Sequence, residues 1–292
     1  MIKGLGLCFA ILGTKEVCPP EAEVWVERGL AAVRVGNYQK AAVCFKKACN
    51  DGCARGCRNL GVLYEWGLGI KQSFTKAVSL YKKACGDGNL RGCCELGILC
   101  KIDLGLKSGV EFDYTKAASL YKKACDGGNA SGCNNLGLLY VSGLGVKQNC
   151  TKAASLFKKA RKGKCAKGCR NLGILYEHGL GVTQDFTIAA GLYEEACDDR
   201  DIIGCYNLGV LYVKGQGVNQ DYTKAASLFK EACNYGFAKG CSILGAMYAE
   251  GLGVPLDKIK AYQYWKKAVK QGDPDAQYYL DILCKENPWA CR

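Results

Sequence analysis

From residue 40 onward the apolar positions recur on two scales: at helical spacing within short stretches, and as whole phrases along the chain. The phrases begin at 40, 76, 116, 152, 188, 224 and 260, 36 residues apart except for the second, which runs to 40. Five copies keep the strict length. The second carries an insertion near Lys107–Val110, the seventh is incomplete, and 21–39 reads as the second half of a preceding copy. Each copy predicts two helices. The first reads K-A-A-S-L-Y-K-K-A-C at 116–125 and starts after Asn37, Ser73, Asp113, Asn149, Asp185, Asp221 or Asp257 in the respective copies. All seven side chains can accept from the unpaired amides of a first helical turn. A glycine follows the helix in five copies (Gly52, Gly88, Gly128, Gly236, Gly272), as left-handed helix ends favour. Lys164 and Arg200 stand there in the other two.

The second helix reads A-x-G-C-x-N-L-G-x-L-Y. In the third copy Cys133, Leu136, Gly137 and Tyr140 fall at i, i+3, i+4 and i+7, one stripe predicted to be buried. Its glycine (Gly61, Gly97, Gly137, Gly173, Gly209, Gly245) costs helix propensity and predicts a neighbouring helix packed close. G-L-G-V then forms the loop to the next cap. No third glycine and no strand accompany it, so it is read as turn geometry and not as a phosphate cradle.

One two-helix unit cannot bury its own apolar face, whereas stacked units share a continuous core. The A-A-x-L-Y-K-K-A-C, N-L-G-x-L-Y and G-x-G-V-x-Q-D phrases resemble Sel1-like repeats, relatives of tetratricopeptide repeats, and the Cys-x7-Cys pairs resemble those of the Helicobacter cysteine-rich proteins. The resemblance covers roughly 21–292. The expected fold is all-α: an αα-hairpin solenoid, a right-handed superhelix of about seven such repeats, stapled by intrarepeat disulfides. The expected organisation is a signal peptide or apolar stub over 1–18, a partial repeat over 19–39, six repeats over 40–259, and a partial repeat with a tail over 260–292.

Cysteine changes this picture most. The chain holds 21 cysteines and one histidine, His178, so mixed Cys/His metal sites are nearly excluded. The recurrent pairs are Cys49 with Cys57, Cys85 with Cys93, Cys125 with Cys133, Cys197 with Cys205 and Cys233 with Cys241. Each joins the end of one helix to the start of the next, within bridging range across a short loop. Zinc needs four converging ligands, which pairs a repeat apart do not supply. They are read as structural disulfides, each worth about 2.5 kcal/mol on the loop-entropy model; the resemblance implies the same pairing. The fourth copy departs: Arg161 replaces the first cysteine, leaving Cys169 with Cys165 and Cys150 as candidate partners. Cys18, Cys44, Cys53, Cys94 and Cys100 fall outside the scheme, and Cys284 and Cys291 are placed to clip the tail.

This usage implies an oxidising compartment, secreted or periplasmic. Lys3 precedes an apolar stretch, Gly4–Gly13, too short for a bilayer and of signal-core length. Cys8 lies in it, and its removal leaves an even twenty cysteines. No other segment could span a membrane. The net charge of +13 sits largely in repeated doublets (Lys46–Lys47, Lys82–Lys83, Lys122–Lys123, Lys158–Lys159, Lys266–Lys267), read as one solvated face and not as a nucleic-acid surface.

For chemistry the motifs are weak. S-x-x-K occurs at Ser79/Lys82, Ser119/Lys122, Ser155/Lys158 and Ser227/Lys230, but it recurs with the repeat and lacks S-D-N and K-T-G. The family that this chain resembles has been described as penicillin-binding, with members named as β-lactamases; that implies β-lactam hydrolysis as the alternative function, with a β-lactam or peptidoglycan-like ligand. No residue is assigned a catalytic role, and neither cofactor nor metal is expected. The main reading is a monomeric module that binds a protein or peptide in a concave groove lined by the second helix. Off its buried stripe lie 131, 135, 138 and 142, and in register stand Asn59, Asn135, Asn171 and Asn207, interrupted by Glu95 and Ile243. Such amides can hold a peptide backbone or bond the next repeat; both readings stay open. Arg58, Arg170, Tyr206 and His178, with Trp66 and Lys214, vary around them.

Overall fold

The computed structural model describes residues 18–100 and 113–291. The signal-peptide reading and the insertion near Lys107–Val110 lie outside the described residues. Among these there are fifteen α-helices and no strand. They are α1 (Pro20–Arg34), α2 (Tyr38–Asn50), α3 (Ala54–Trp66), α4 (Phe74–Gly86), α5 (Leu90–Leu99), α6 (Tyr114–Asp126), α7 (Ala130–Ser142), α8 (Cys150–Lys162), α9 (Ala166–His178), α10 (Phe186–Asp198), α11 (Ile202–Lys214), α12 (Tyr222–Asn234), α13 (Ala238–Glu250), α14 (Lys258–Lys270) and α15 (Ala276–Glu286). Even numbers are the first helices of the sequence phrase and odd numbers the second. The chain forms two compact units, Met1–Asn149 and Cys150–Arg292. Within each, every helix packs on the next, and second helices also touch one another: α1 with α3, α5 with α7, and α9 with α11.

The helices start where side chains can replace the missing intrahelical acceptors. Asn37, Ser73, Asp113, Asp185, Asp221 and Asp257 each accept from the amide three residues on. A second set of caps was not legible as a motif: Asn89, Asn129 and Asp201 accept from Gly92, Gly132 and Gly204 and start α5, α7 and α11.

Beyond the first helices the chain turns left-handed. Gly128 and Gly236 stand at φ 90°, and in the same register Lys164 and Arg200 are, among the described residues, the two non-glycine residues with positive φ, 55° and 63°. A side chain there costs roughly 1–2 kcal/mol. We expect Lys164→Gly and Arg200→Gly each to raise unfolding stability by about 0.5–1 kcal/mol, read as a higher urea midpoint; a lower midpoint would refute the strain assignment.

One aromatic ring per first helix forms the core: Phe45, Tyr81, Tyr121, Phe157, Tyr193 and Phe229 are all buried, with Trp265 close behind. The recurrent glycine explains itself here. A Cβ on Gly173 would stand 2.7 Å from the Tyr193 ring, and one on Gly209 2.8 Å from Phe229. A different glycine, the one before the second cysteine, lets the two helices of a hairpin meet. A Cβ on Gly56 would lie 2.5 Å from the Ala48 methyl.

That approach holds the paired half-cystines at Cα–Cα distances of 4.4–4.6 Å. All five expected bridges within the sequence phrases are present: Cys49–Cys57, Cys85–Cys93, Cys125–Cys133, Cys197–Cys205 and Cys233–Cys241. The second copy offers two adjacent thiols to Cys85. Cys93 takes the bond, at a Cα–Cα distance of 4.6 Å, because it lies on the buried stripe of α5 and faces α4. Cys94, one position round the helix, points to the next repeat instead.

Two further bridges join Cys18 to Cys53 and Cys284 to Cys291. The first gives Cys18 and Cys53, which stand outside the recurrent scheme, each other as partners, and it ties Cys18 to the folded repeats. The second clips a short 3₁₀ turn, Pro288–Cys291, onto α15. Cys44, Cys94, Cys100, Cys150, Cys165 and Cys169 carry thiols. Cys169 does not take Cys150 or Cys165 as partner. It is buried and donates to Glu195 Oε1 at 3.3 Å, beside the Arg161–Glu195 ion pair. Burial and that carboxylate push its thiol up to about 12, so it stays protonated and inert.

The lysine doublets are largely exposed, and in two of them one lysine also reaches a backbone carbonyl of the preceding hairpin. Lys83 Nζ donates to the Cys49 carbonyl of the preceding hairpin (3.2 Å), and Lys123 Nζ to that of Cys85 (2.9 Å). A cation thus closes the unpaired carbonyl end of the neighbouring helix, where the helix dipole favours it.

Candidate ligand-binding site

The predicted groove residues all sit on the second helices, but they do not form a solvent-facing ladder. Asn59 and Arg58 of α3 are buried. Arg58 Nη1 donates to Asn59 Oδ1 (3.2 Å) and its Nη2 pairs with Glu95 of α5 (2.9 Å). Asn171 is buried as well. Asn135 is half-buried and accepts from Asn134 (3.3 Å). Asn207 is half-buried and hydrogen-bonded to the Tyr193 hydroxyl. The expectation of exposed amides therefore fails at Asn59 and Asn171, which the stacked repeats bury. His178 is exposed at the end of α9, its Nδ1 3.1 Å from the Ile174 carbonyl.

The covered positions form two kinds of polar core. Where α3 and α9 carry a glutamate near their ends, the next helix carries a tyrosine: Tyr81 donates to Glu65 and Tyr193 to Glu177, each at 2.5 Å. Burial pushes the Glu65 carboxyl up, with the tyrosine bond pulling it partly back. The Tyr81 and Tyr193 hydroxyls are raised, first by burial and then by the glutamates. Both groups are locked into structure.

A second register varies from repeat to repeat. The residue after the second cysteine faces the residue that starts the next second helix. Cys94 Sγ donates to Asn129 Oδ1 at 3.3 Å. Arg170 Nε lies 3.3 Å from Asp201 Oδ1, an ion pair not aligned as a hydrogen bond. Tyr206 meets Phe237 edge-on, ring centroids 5.0 Å apart. At the next step Ser242 stands opposite Asp273, and the contact opens into a pocket of about 270 Å³. Tyr206, Ile243, Ala246 and Tyr279 supply its apolar wall; Lys239 and Asp275 are exposed at its edge. Tyr279 is itself stacked on Trp265 (5.6 Å), and Trp265 Nε1 donates to the Ser242 carbonyl (2.9 Å), so the wall is braced from the core. Of the predicted groove residues, Tyr206 alone lines this pocket. Asp273 and Tyr279 had no motif to mark them; the only signal was the register of Asp273 with Asp201, 72 residues earlier.

The half-cystines stand apart from this site, and none of them lines the pocket. Cys93 is completely buried and spent in its bond to Cys85, so it offers a ligand neither surface nor a thiol. The same is true of Cys57 and Cys241, bonded to Cys49 and Cys233. Their part is to hold the hairpins that present the register next to them.

The four S-x-x-K serines lie elsewhere, on the exposed face of the first helices. Ser119 Oγ donates to the Lys116 carbonyl of its own helix (2.9 Å), and Lys122 Nζ pairs with Asp126 (2.8 Å), which raises the lysine and keeps it protonated.

The Sel1 repeat family model matches seven consecutive stretches, 24–53, 54–89, 91–129, 130–164, 166–201, 202–236 and 238–273. The chain belongs to the Sel1 repeat family. In its frame a repeat opens with a second helix of our phrase, such as α3, and closes with the following first helix. Each of the five Cys-x7-Cys bridges, Cys85–Cys93 among them, then sits where one matched stretch gives way to the next. A Sel1 repeat protein from Oxalobacter formigenes is 26% identical over 84% of this chain and 98% of its own, with a TM-score of 0.76. The protective antigen c5321 of uropathogenic Escherichia coli, described as displaying an SLR fold, is 26% identical over 97% of this chain at a TM-score of 0.67; this chain spans 64% of it. In sequence, 43 residues are 56% identical to HcpE of Helicobacter pylori, to which a β-lactamase name is provisionally attached. That match spans 15% of this chain and 12% of the relative. With seven disulfides among the described residues, this Sel1 repeat chain is built as an extracytoplasmic protein. No helix of the described residues is long and apolar enough to cross a membrane.

Proposed function

We propose that this chain is a secreted or periplasmic interaction module that binds a protein or peptide segment on its second-helix face. The observation that carries the reading is variation at one register of a fixed scaffold. The core ring, the cap and the disulfide recur, while the residue after the second cysteine runs Arg58, Cys94, Asn134, Arg170, Tyr206, Ser242. Solenoids acquire specificity in this way. In the second unit this register ends in the pocket beside Ser242, with Tyr206 as a contact for an apolar side chain. The half-buried amide of Asn207 and the exposed His178 extend the same face of that unit. In the first unit Asn135 is half-buried on this face, while Arg58 and Asn59 are buried. Selection of displayed random heptapeptides on the oxidised chain should yield a consensus motif. A library that returns no motif would count against the module.

The name attached to HcpE favours β-lactam hydrolysis as a second reading. The geometry around Ser119 supports a structural role instead: its neighbour Lys122 is a salt-bridged ammonium and cannot accept a proton. Ser119→Ala should leave the rate of chromogenic cephalosporin hydrolysis by the purified chain where it was. Loss of a measurable rate on this one change would make the motif catalytic.

A further inference from the structure

The pocket beside Ser242 holds an acid without its cation. Asp273 is 8% exposed, and no ion pair to it exists among the described residues. The one hydrogen bond to its carboxylate among them is from the Asp275 amide to Oδ1 (3.1 Å). A buried carboxylate of this kind is costly unless a cation reaches it. The chain solves the same problem two repeats earlier. Asp201 occupies the register of Asp273, and Arg170, the residue after the second cysteine, brings its guanidinium to it. At the later site that register holds Ser242, whose side chain is too short to play the part, and the space an arginine would fill is the open volume of about 270 Å³.

We propose that this pocket takes the arginine or lysine side chain of a bound peptide, which supplies to Asp273 the cation that Arg170 supplies to Asp201. The assignment rests on the peptide-binding reading above and names the chemistry it selects. Tyr206 and Tyr279 offer ring faces to the alkyl stem and to a guanidinium plane, and Asp275 adds a second negative charge at the mouth. Lys239, also at the edge, is exposed and free to swing away in water. The overall charge of +13 repels a basic peptide from a distance, but salt screens that field beyond about 8 Å, whereas a contact with the largely buried Asp273 acts at short range.

The test uses the full oxidised chain and three targets: wild type, Asp273→Asn and Ser242→Arg, each checked for native helicity and melting. Asparagine keeps the acceptor for the Asp275 amide, and arginine at 242 copies the Arg170 arrangement, so both variants should fold. Random heptapeptides are selected on wild type, and the best binder is compared with its analogue in which the basic residue is replaced by citrulline. We expect arginine or lysine at one fixed position, and a loss of about 10–100-fold in affinity with citrulline, the span of a charged hydrogen bond. That loss should vanish on Asp273→Asn, and Ser242→Arg should weaken the original peptide by a similar factor. A motif without a basic residue, or a citrulline penalty of equal size on Asp273→Asn, overturns the assignment while leaving the peptide-binding module standing. Absence of any motif on wild type overturns the module and the assignment together.

Discussion

Reducing the disulfides will lower the melting temperature of this protein further than any single side-chain change. Five bridges close loops of eight residues, Cys49–Cys57 to Cys233–Cys241. At about 2.5 kcal/mol each they sum to roughly 12 kcal/mol of restricted unfolded-state freedom, comparable with the whole stability of an ordinary domain. The loss will not be uniform. A repeat array is a chain of nearest-neighbour couplings, so the transition should broaden as well as shift. The hairpin of α8 and α9 has no bridge to lose. Its Gly168 meets Ala160 as Gly56 meets Ala48, so its helices already approach closely enough for one. Arg161→Cys should therefore close a bridge to Cys169 and raise stability by about 2 kcal/mol, the loop term less the exposed Arg161–Glu195 pair. Circular dichroism at 222 nm with and without a phosphine reductant measures the first effect, and thiol counting the second. A midpoint that stays within a few degrees on full reduction would show that the bridges are ornaments on a fold held by packing alone.

Phe229 and Gly209 should show a reversal of sign. Phe229 is completely buried beneath Gly209, and its replacement by alanine should cost about 3–5 kcal/mol, part transfer and part cavity. Gly209→Ala in the intact protein places a methyl 2.8 Å from the ring and should cost about 1–3 kcal/mol by overpacking. On the Phe229→Ala background the same change meets empty space, and alanine in mid-helix is better than glycine by about 1 kcal/mol. The second substitution should then stabilise. Urea midpoints of the two single variants and the double variant complete the cycle. If Gly209→Ala costs the same on both backgrounds, the glycine is present for a reason other than the ring above it.

Most of the fold was legible because each device is local and repeated. A cap such as Asp221 acts on an amide three residues away, and a glycine such as Gly128 on its own backbone. A Cys-x7-Cys pair spans a loop whose length alone limits where its ends can go. That is why Cys93 could be assigned to Cys85 with Cys94 beside it: the spacing of eight residues recurs in four other copies. Seven copies turned weak signals into a pattern. The exceptions were legible too: Lys164 and Arg200 broke the glycine rule in sequence, and they carry the two positive φ angles of non-glycine residues among the described residues. The Cys18–Cys53 bridge was not, because it occurs once and joins a segment before the first full repeat to a loop 35 residues on.

The site was legible only in part. Counting from the buried stripe placed Asn59 and Asn171 on the far side of their helix, and a helical wheel cannot say that the stacked repeats bury that side. The tyrosine–glutamate locks were hidden for the same reason: Glu65 and Tyr81 are 16 residues apart on different helices. By itself the sequence determined the repeat, its helices, the caps of the first helices and the intrarepeat staples, since all of these depend on separations of at most one hairpin. Tertiary structure alone decided which polar residues the stacking buries, that Lys83 and Lys123 cap the preceding hairpin, and that Asp273 faces a gap where Asp201 faces an arginine. Those outcomes depend on contacts between successive repeats, where a one-residue difference in side-chain length, Ser242 for Arg170, turns an ion pair into a pocket.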